Sequence, residues 1–275
     1  MHLAIRASFP NLTESKIPID ICDLARSRNV VGIFARKLDG DGTISTNETG
    51  GYLIEVNKEH SGQRQRFTIA HEIGHTFFFD LEECQVEPRF RIQDDDLGAT
   101  RRQKAEEYLC NYAAAELLMP QFLFAAHVRE RGPSSANMLG AARAFDVSLH
   151  ACAWRMLQVL PLNLVVIRWE YDPTVRAYKT RWIVRRTRRV GLPKPELRLS
   201  SNDPLFSIFQ EYTQFRGRVW VSLDGPLDDY FMDATIIRNG DRRSFLSVFA
   251  LERNPSLLFR DKCQSTRTVD QAPLF

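Results

Sequence analysis

Three side chains in one short stretch have the types and the spacing of a metal-dependent hydrolytic site. His71, Glu72 and His75 lie within R-Q-R-F-T-I-A-H-E-I-G-H-T-F-F-F, residues 64–79. Helical residues four apart project from one face, about 6 Å apart along the axis, so both imidazoles can bind one ion. Two neutral imidazoles suit zinc, and an adjacent carboxylate is placed to take a proton from an activated water. The spacing therefore predicts zinc held by His71 and His75, with Glu72 as general base.

The residues around these side chains predict that their helix is buried. Apolar residues cover nearly every side of it: Phe67, Ile69, Ala70, Ile73, Phe77, Phe78 and Phe79. Polar groups inside a protein need partners, because each unpaired one costs a few kcal/mol. A metal ion supplies those partners, whereas the alternative is two core histidines bonded to backbone carbonyls. H-E-x-x-H is the pattern typical of zinc metallopeptidases, which favours the metal.

A third ligand has to come from elsewhere in the chain, because a catalytic zinc keeps three protein ligands and one open position. A helix predicted from Thr100 to Met119 carries three candidates, Glu106, Glu107 and Glu116. Weaker candidates on an acidic loop are Asp80, Glu82 and Glu83. Adjacent helical residues point about 100° apart, so only one of Glu106 and Glu107 faces the ion. Helical periodicity does not choose between these two, since either face is suitable for burial.

Two long motifs occupy the first half of the chain. They read R-Q-R-F-T-I-A-H-E-I-G-H at residues 64–75 and E-Y-L-C-N-Y-A-A-A-E-L-L-M-P at residues 107–120. Together they resemble the ImmA/IrrE family of bacterial and phage metallopeptidases, over roughly residues 15–160. The resemblance implies that His71, His75 and Glu107 bind zinc and that Glu72 is the general base. Ala113 departs from the family pattern, which often has phenylalanine there, but the change removes no ligand.

The same resemblance implies a function. Family members cleave transcriptional repressors of the helix-turn-helix type and thereby switch on stress-response or mobile-element genes. It therefore implies a zinc endopeptidase whose partner is a protein substrate, a helix-turn-helix repressor. Two alternatives with a non-catalytic zinc site stay open: a DNA-binding or sensory regulator, and a module that captures a repressor without cutting it. Glu72 argues against both, because a structural zinc site needs no base.

The elements around the motifs predict an α+β fold with a zincin-like metallopeptidase domain at residues 1–130. We expect a helix from Pro18 to about Asn29, a strand from Val30 to Leu38 and a turn at residues 39–42. A second strand is predicted at residues 52–57, directly before the histidine helix. This strand is either the rim of a substrate cleft or an interior strand, and the sequence leaves both open.

Residues 131–160 resemble a helix-turn-helix segment. A helix after Ser134 is followed by Phe145, Asp146 and then Ser148, which is a good N-cap for a second helix. Asp146 replaces the turn glycine common in DNA readers, and the second helix has few base-reading side chains. A buttressing or substrate-docking role is therefore favoured over DNA contact.

Residues 161–262 predict a second α+β domain, with regulation as its expected role, and residues 263–275 a loose tail. The strand and helix order β-β-α-β-β-β is compatible with GAF or PAS sensor domains. One region concentrates positive charge around Trp182, with Arg181, Arg185, Arg186, Arg188, Arg189 and Lys194. Such a patch contacts nucleic acid or an acidic partner, or is a solvated hairpin end, and the last is favoured.

The composition agrees with a cytoplasmic globular protein. The 275 residues are 44% hydrophobic and 26% charged, with a net charge of +3 that does not by itself indicate nucleic-acid binding. Five scattered cysteines form no C-x-x-C pair, which is typical of reduced thiols in a cytoplasm. A secretion signal and a membrane span are not expected from the sequence.

Overall fold

The computed structural model describes residues 17–77, 89–90, 101–185, 197–221, 223, 228–239, 242–251 and 266–267. These residues form two compact units. One comprises residues 1–124 with 142–151, and the other comprises residues 125–141 with 152–275. Within the described ranges, no helix has both the length and the apolar character needed to cross a membrane.

The first unit begins with helix α1, Ile21–Ser27. The carboxylate of Asp20 accepts hydrogen bonds from the backbone N–H groups of Cys22 and Asp23, at 2.8 and 3.2 Å. The first four N–H groups of any α-helix have no partner inside the helix. An aspartate at the N-cap accepts hydrogen bonds from such groups and so stabilises the first turn. The helix therefore starts later than the predicted Pro18, because Asp20 rather than proline sets its first turn.

Four strands form a mixed sheet in the first unit, in the order β1-β3-β2-β4. They are β1 (Val30–Arg36), β2 (Gly42–Thr46), β3 (Tyr52–Asn57) and β4 (Arg89–Phe90). Strand β3 runs parallel to β1 and antiparallel to β2. Of the two alternatives, β3 is therefore the interior strand and not a cleft rim. The predicted turn at residues 39–42 ends one residue early, because Gly42 already begins the unpredicted strand β2.

The histidine stretch forms helix α2, Gly62–His75, whose N-cap Ser61 accepts the N–H of Arg64. Every residue from Thr68 to His75 is buried, which confirms the burial predicted from the apolar pattern. Helix α3, Arg101–Leu118, packs against α2 and ends before Pro120, as predicted. Thr100, the predicted start of α3, lies outside the described residues.

Three further helices follow, α4 (Gln121–Arg131), α5 (Ser135–Ala144) and α6 (Leu149–Val159). The turn between α5 and α6 has Asp146 in the left-handed region, at φ 49°, where glycine usually stands. Its carboxylate pairs with Arg66 of α2 at 3.1 Å. Ser148 caps α6 by accepting the N–H of Ala151 at 3.1 Å, as predicted. The turn aspartate is thus tied to the first unit.

The second unit contains a seven-stranded antiparallel sheet in the order β11-β8-β9-β10-β5-β6-β7. Its elements in chain order are β5 (Leu164–Asp172), β6 (Ala177–Arg185), β7 (Arg198–Leu199), α7 (Pro204–Glu211), β8 (Tyr212–Val221), β9 (Asp228–Asn239), β10 (Arg242–Ala250) and β11 (Thr266–Arg267). The predicted β-β-α-β-β-β order is present, with two short strands added. The α+β class is confirmed, whereas a GAF or PAS assignment stays a prediction.

Helix α7 packs on one face of this sheet through aromatic residues. Phe209 of α7 stacks on Phe245 of β10, with ring centroids 4.4 Å apart and planes within 7°. Trp169 is fully buried, and its indole N–H donates to the hydroxyl of Ser247 at 2.8 Å. Tyr178 contacts both phenylalanines edge to face, and burial raises the pKa of its hydroxyl to about 12. These rings form the centre of the second unit's hydrophobic core.

Candidate metal centre

Helix α2 presents His71 and His75 on the same face, with their ring centroids 5.1 Å apart. The two histidines and Glu72 are almost completely buried, with 0%, 2% and 1% of their surfaces exposed. This is the geometry expected of residues one helical turn apart. The predicted pairing of the imidazoles is therefore present in the folded chain.

Helix α3 brings a carboxylate to both imidazoles. Oε2 of Glu107 lies 3.1 Å from Nε2 of His71, and Oε1 lies 3.4 Å from Nε2 of His75. The Nδ1 atoms of the two rings contact other residues of α3. Nδ1 of His75 lies 3.2 Å from Oε1 of Glu106, and Nδ1 of His71 lies 3.1 Å from Oδ1 of Asn111. Three side chains thus converge on one point, and two neighbours orient the rings.

The outer contacts indicate which ring nitrogens are available to a metal. A carboxylate oxygen only accepts hydrogen bonds, so Nδ1 of His75 donates to Glu106, and the Asn111 oxygen assigns the same role to His71. Each Nε2 then carries a lone pair and faces a carboxylate oxygen that also carries lone pairs. With both imidazoles neutral, these atoms at 3.1–3.4 Å are all acceptors, an arrangement that a bound cation would satisfy. The donor set therefore fits zinc, which binds histidine nitrogen and carboxylate oxygen.

The carboxylate of Glu107 and the imidazole of His75 shift each other's pKa toward the charged form. Burial alone raises the pKa of the Glu107 carboxyl, but bonds and charge from His71 and His75 outweigh it and lower the pKa to about 2. Burial lowers the pKa of His75, but its bond to Glu107 and the charges of Glu72 and Glu107 raise it on balance. The site therefore stabilises positive charge near the imidazoles, as a cation site must.

Two glycines allow the close packing around the site. A Cβ atom on Gly74 would lie 3.2 Å from the Cα of Cys110 and from the Cβ of Ala113, so α2 and α3 touch there by backbone. A Cβ on Gly42 would overlap the side chain of Thr68 and approach Oε1 of Glu72 to 3.6 Å. Strand β2 therefore lies directly beside the predicted base.

Sequence reasoning missed one donor atom. The thiol of Cys110, one turn beyond Glu107, is fully buried, and its Sγ lies within 4.8 Å of donor nitrogens of both histidines. Glu107 is the better third ligand, because its two oxygens reach both Nε2 atoms at 3.1 and 3.4 Å. The spacing of three residues between Glu107 and Cys110 was a signal for this second donor.

The remaining sequence candidates lie elsewhere. The carboxylate of Glu116 accepts the backbone N–H of Gln121 at 2.9 Å and so caps α4. Asp80, Glu82 and Glu83 lie outside the described residues. The sequence offers five side chains that could be a second oxyanion donor and does not choose among them: Tyr52, Tyr108, His127, His150 and Arg155. Tyr108 is 69% exposed, His127 contacts Arg131 and Arg155 contacts Gln158, so these contacts select none of them.

The proposed basic patch is only partly described. Its first member, Arg181, donates to Glu170 on the neighbouring strand at 2.9 Å, so this cation is paired with an acid. Arg186, Arg188, Arg189 and Lys194 lie outside the described residues. The described part of the patch therefore adds no support to nucleic-acid binding.

One solved structure has a fold similar to that of this chain. A Mycobacterium tuberculosis transcriptional regulator superposes with a TM-score of 0.50 at 15% sequence identity, covering 90% of this chain and 86% of that one. At this identity the likeness concerns the fold alone.

Sequence comparisons concern the half of the chain that carries the metal centre. The family Peptidase_M78, described as the IrrE N-terminal-like domain, matches residues 25–157. The radiation response metalloprotease IrrE of Deinococcus radiodurans is 30% identical over 113 residues, 41% of this chain and 33% of that protein. The radiation response metalloprotease IrrE of Deinococcus deserti is 30% identical over 107 residues, which are 39% of this chain and 36% of that protein. This chain thus matches about a third of the length of either relative. The match over residues 25–157 and the likeness to these two relatives support the resemblance of the two motifs to the ImmA/IrrE family of metallopeptidases.

Proposed function

We propose that this chain is a zinc-dependent endopeptidase. One observation carries the proposal: Glu107 faces Nε2 of His71 and of His75 at 3.1 and 3.4 Å, with Glu72 buried beside them. Three such ligands with one open position are the donor set of catalytic rather than structural zinc sites. The similarity to proteins named metalloproteases supports the same reaction class.

The roles we propose for the residues follow from their positions. His71, His75 and Glu107 hold the ion, while Glu106 and Asn111 keep the two imidazoles in the ligating tautomer. When bound, zinc supplies Lewis-acid chemistry for attack of water on a peptide carbonyl. Glu72 takes the proton of the attacking water and passes it to the leaving amine. Glu72 is buried directly after His71 on the same helix, which places its carboxylate beside the histidines.

For the substrate we propose a specific protein, namely a helix-turn-helix transcriptional repressor whose cleavage switches on a stress-response or mobile-element programme. The family resemblance of the two motifs supports this choice. A role of the second unit in controlling cleavage is part of the same proposal, because that unit has its own core and lacks the paired histidine motif.

The decisive variant is Glu72→Gln, which keeps the size of the side chain and removes its basicity. We expect zinc to stay bound and cleavage of a helix-turn-helix repressor encoded beside the gene to fall about 10²–10⁴-fold. Zinc content is measured by mass spectrometry and cleavage by electrophoresis. Glu48→Gln, on an exposed turn, is the matched control and should cleave normally. Undiminished cleavage by Glu72→Gln would falsify the assignment.

A further inference from the structure

The buried thiol of Cys110 lies where a metal ligand would lie. Its Sγ and one nitrogen from each of His71 and His75 are all within 4.8 Å of one another, and all three side chains are buried. Tetrahedral zinc with bonds of about 2.0 Å to nitrogen and 2.3 Å to sulfur places such donors about 3.5 Å apart. The donors are therefore within about 1.3 Å (4.8 − 3.5) of the spacing that a shared ion needs.

The contact between the two helices explains why the thiol reaches this place. Gly74 stands between the two histidines in sequence, and its missing side chain lets the backbone of Cys110 pack against α2. Cys110 follows Glu107 by three residues, so both project from the same face of α3. A carboxylate and a thiol therefore approach the same pair of imidazoles from one helix.

We propose that Cys110 is a sulfur ligand of the same metal ion, alongside His71, His75 and Glu107. The inference rests on the metal centre of the proposed function and adds a donor to it. Thiolate is a preferred ligand of zinc and of softer divalent ions, and the thiol releases its proton to solvent on coordination. Four protein donors close the coordination shell, as in structural sites. Cys110 then has to leave before water can enter, so the resting site is a closed one.

The test uses the whole 275-residue chain loaded with Co²⁺ in place of zinc. We expect visible bands of tetrahedral cobalt together with a near-ultraviolet charge-transfer band from thiolate to cobalt. Cys110→Ser should lose the near-ultraviolet band and keep the visible bands, which also show that the site is folded. Cys22→Ser makes the same chemical change at an exposed thiol on α1 and should keep both sets of bands.

A second measurement does not depend on any variant. X-ray absorption of the zinc-loaded wild-type protein should show one sulfur at about 2.3 Å in addition to nitrogen and oxygen at about 2.0 Å. Visible cobalt bands without a charge-transfer band, or a zinc shell without sulfur, would overturn the role of Cys110 and leave the peptidase proposal intact. Survival of the charge-transfer band in Cys110→Ser would also overturn it. Failure of the wild-type protein to bind either ion would contradict the proposed metal centre itself.

Discussion

Two buried polar clusters, one in each unit, arrange their atoms in opposite ways. In the second unit the carboxylate of Asp233 accepts hydrogen bonds from the N–H and hydroxyl of Ser135, and from Nε of Arg216 at 2.7 Å. The hydroxyls of Ser135 and Thr235 lie 2.7 Å apart. In the first unit, by contrast, Nε2 of two imidazoles faces the carboxylate oxygens of Glu107 at 3.1 and 3.4 Å.

The difference separates a structural cluster from a ligand site. Asp233 meets donors on both oxygens, and it caps the start of α5 with a charge of the favourable sign. Such a network holds the chain in one arrangement and needs nothing from outside. With neutral imidazoles, the cluster of His71, His75 and Glu107 presents acceptors to acceptors, an arrangement that a bound cation would satisfy. Four substitutions test this distinction, in order of decreasing expected effect.

Removing Glu107 should have the largest effect. Glu107→Ala deletes the carboxylate that faces both Nε2 atoms, so zinc affinity should fall by more than about 100-fold, beyond the loss expected for an outer residue. Isothermal titration calorimetry with the metal-free protein measures the dissociation constant. Glu48→Ala is the control on an exposed turn and should bind zinc normally. Wild-type affinity in Glu107→Ala would mean that this cluster, like that of Asp233, is structural.

Removing Asp233 should destabilise the protein and leave zinc binding unchanged. Asp233→Ala removes the carboxylate that binds the part-buried Arg216 and Ser135, and we expect a loss of up to the ~3–5 kcal/mol that breaking a fully buried pair costs. Urea unfolding followed by tryptophan fluorescence measures the loss, and zinc stoichiometry should stay unchanged below the transition. Asp172→Ala, which removes an exposed partner of Lys179, should change stability little. A zinc defect in Asp233→Ala would break the proposed separation of the two clusters.

Removing Asn111 should weaken the centre without abolishing it. Asn111→Ala deletes the acceptor that orients His71 through Nδ1, and outer partners of this kind contribute about 10–100-fold in metal affinity. Competition with a zinc chelator gives the dissociation constant. We expect the effect to lie clearly below that of Glu107→Ala. An equal or larger loss would place Asn111, and not Glu107, among the ligands.

The smallest expected effect comes from a single methyl group at the helix contact. Gly74→Ala places a Cβ 3.2 Å from the backbone of Cys110, which cannot move aside as a flexible side chain would. Overpacking costs about 1–3 kcal/mol, against a gain of up to about 1 kcal/mol in helix propensity. Gly140→Ala on α5 meets no atom within 4 Å and should be stabilising. Thermal unfolding compares the two, and stabilisation of Gly74→Ala would contradict the close contact.

Strong local patterns made parts of the fold predictable. The strand at Tyr52–Asn57 and the burial of Thr68–His75 follow from apolar periodicity, and the end of α3 follows from Pro120. Strand β2 was missed because its sequence, G-T-I-S-T, is short and largely polar. The start of α1 was misplaced because the cap at Asp20 competes with proline as a start signal.

The candidate metal centre shows most clearly what the sequence by itself determined. A spacing of four residues places His71 and His75 together on any helix, and Glu72 beside them, because helical geometry is local. The choice between Glu106 and Glu107, by contrast, depended on how α3 packs against α2. Tertiary structure brings both to the histidines but to different nitrogens, Glu106 to Nδ1 and Glu107 to Nε2. It also places Cys110 and Asn111 at the site, because the position of one helix relative to another is set by long-range packing at Gly74.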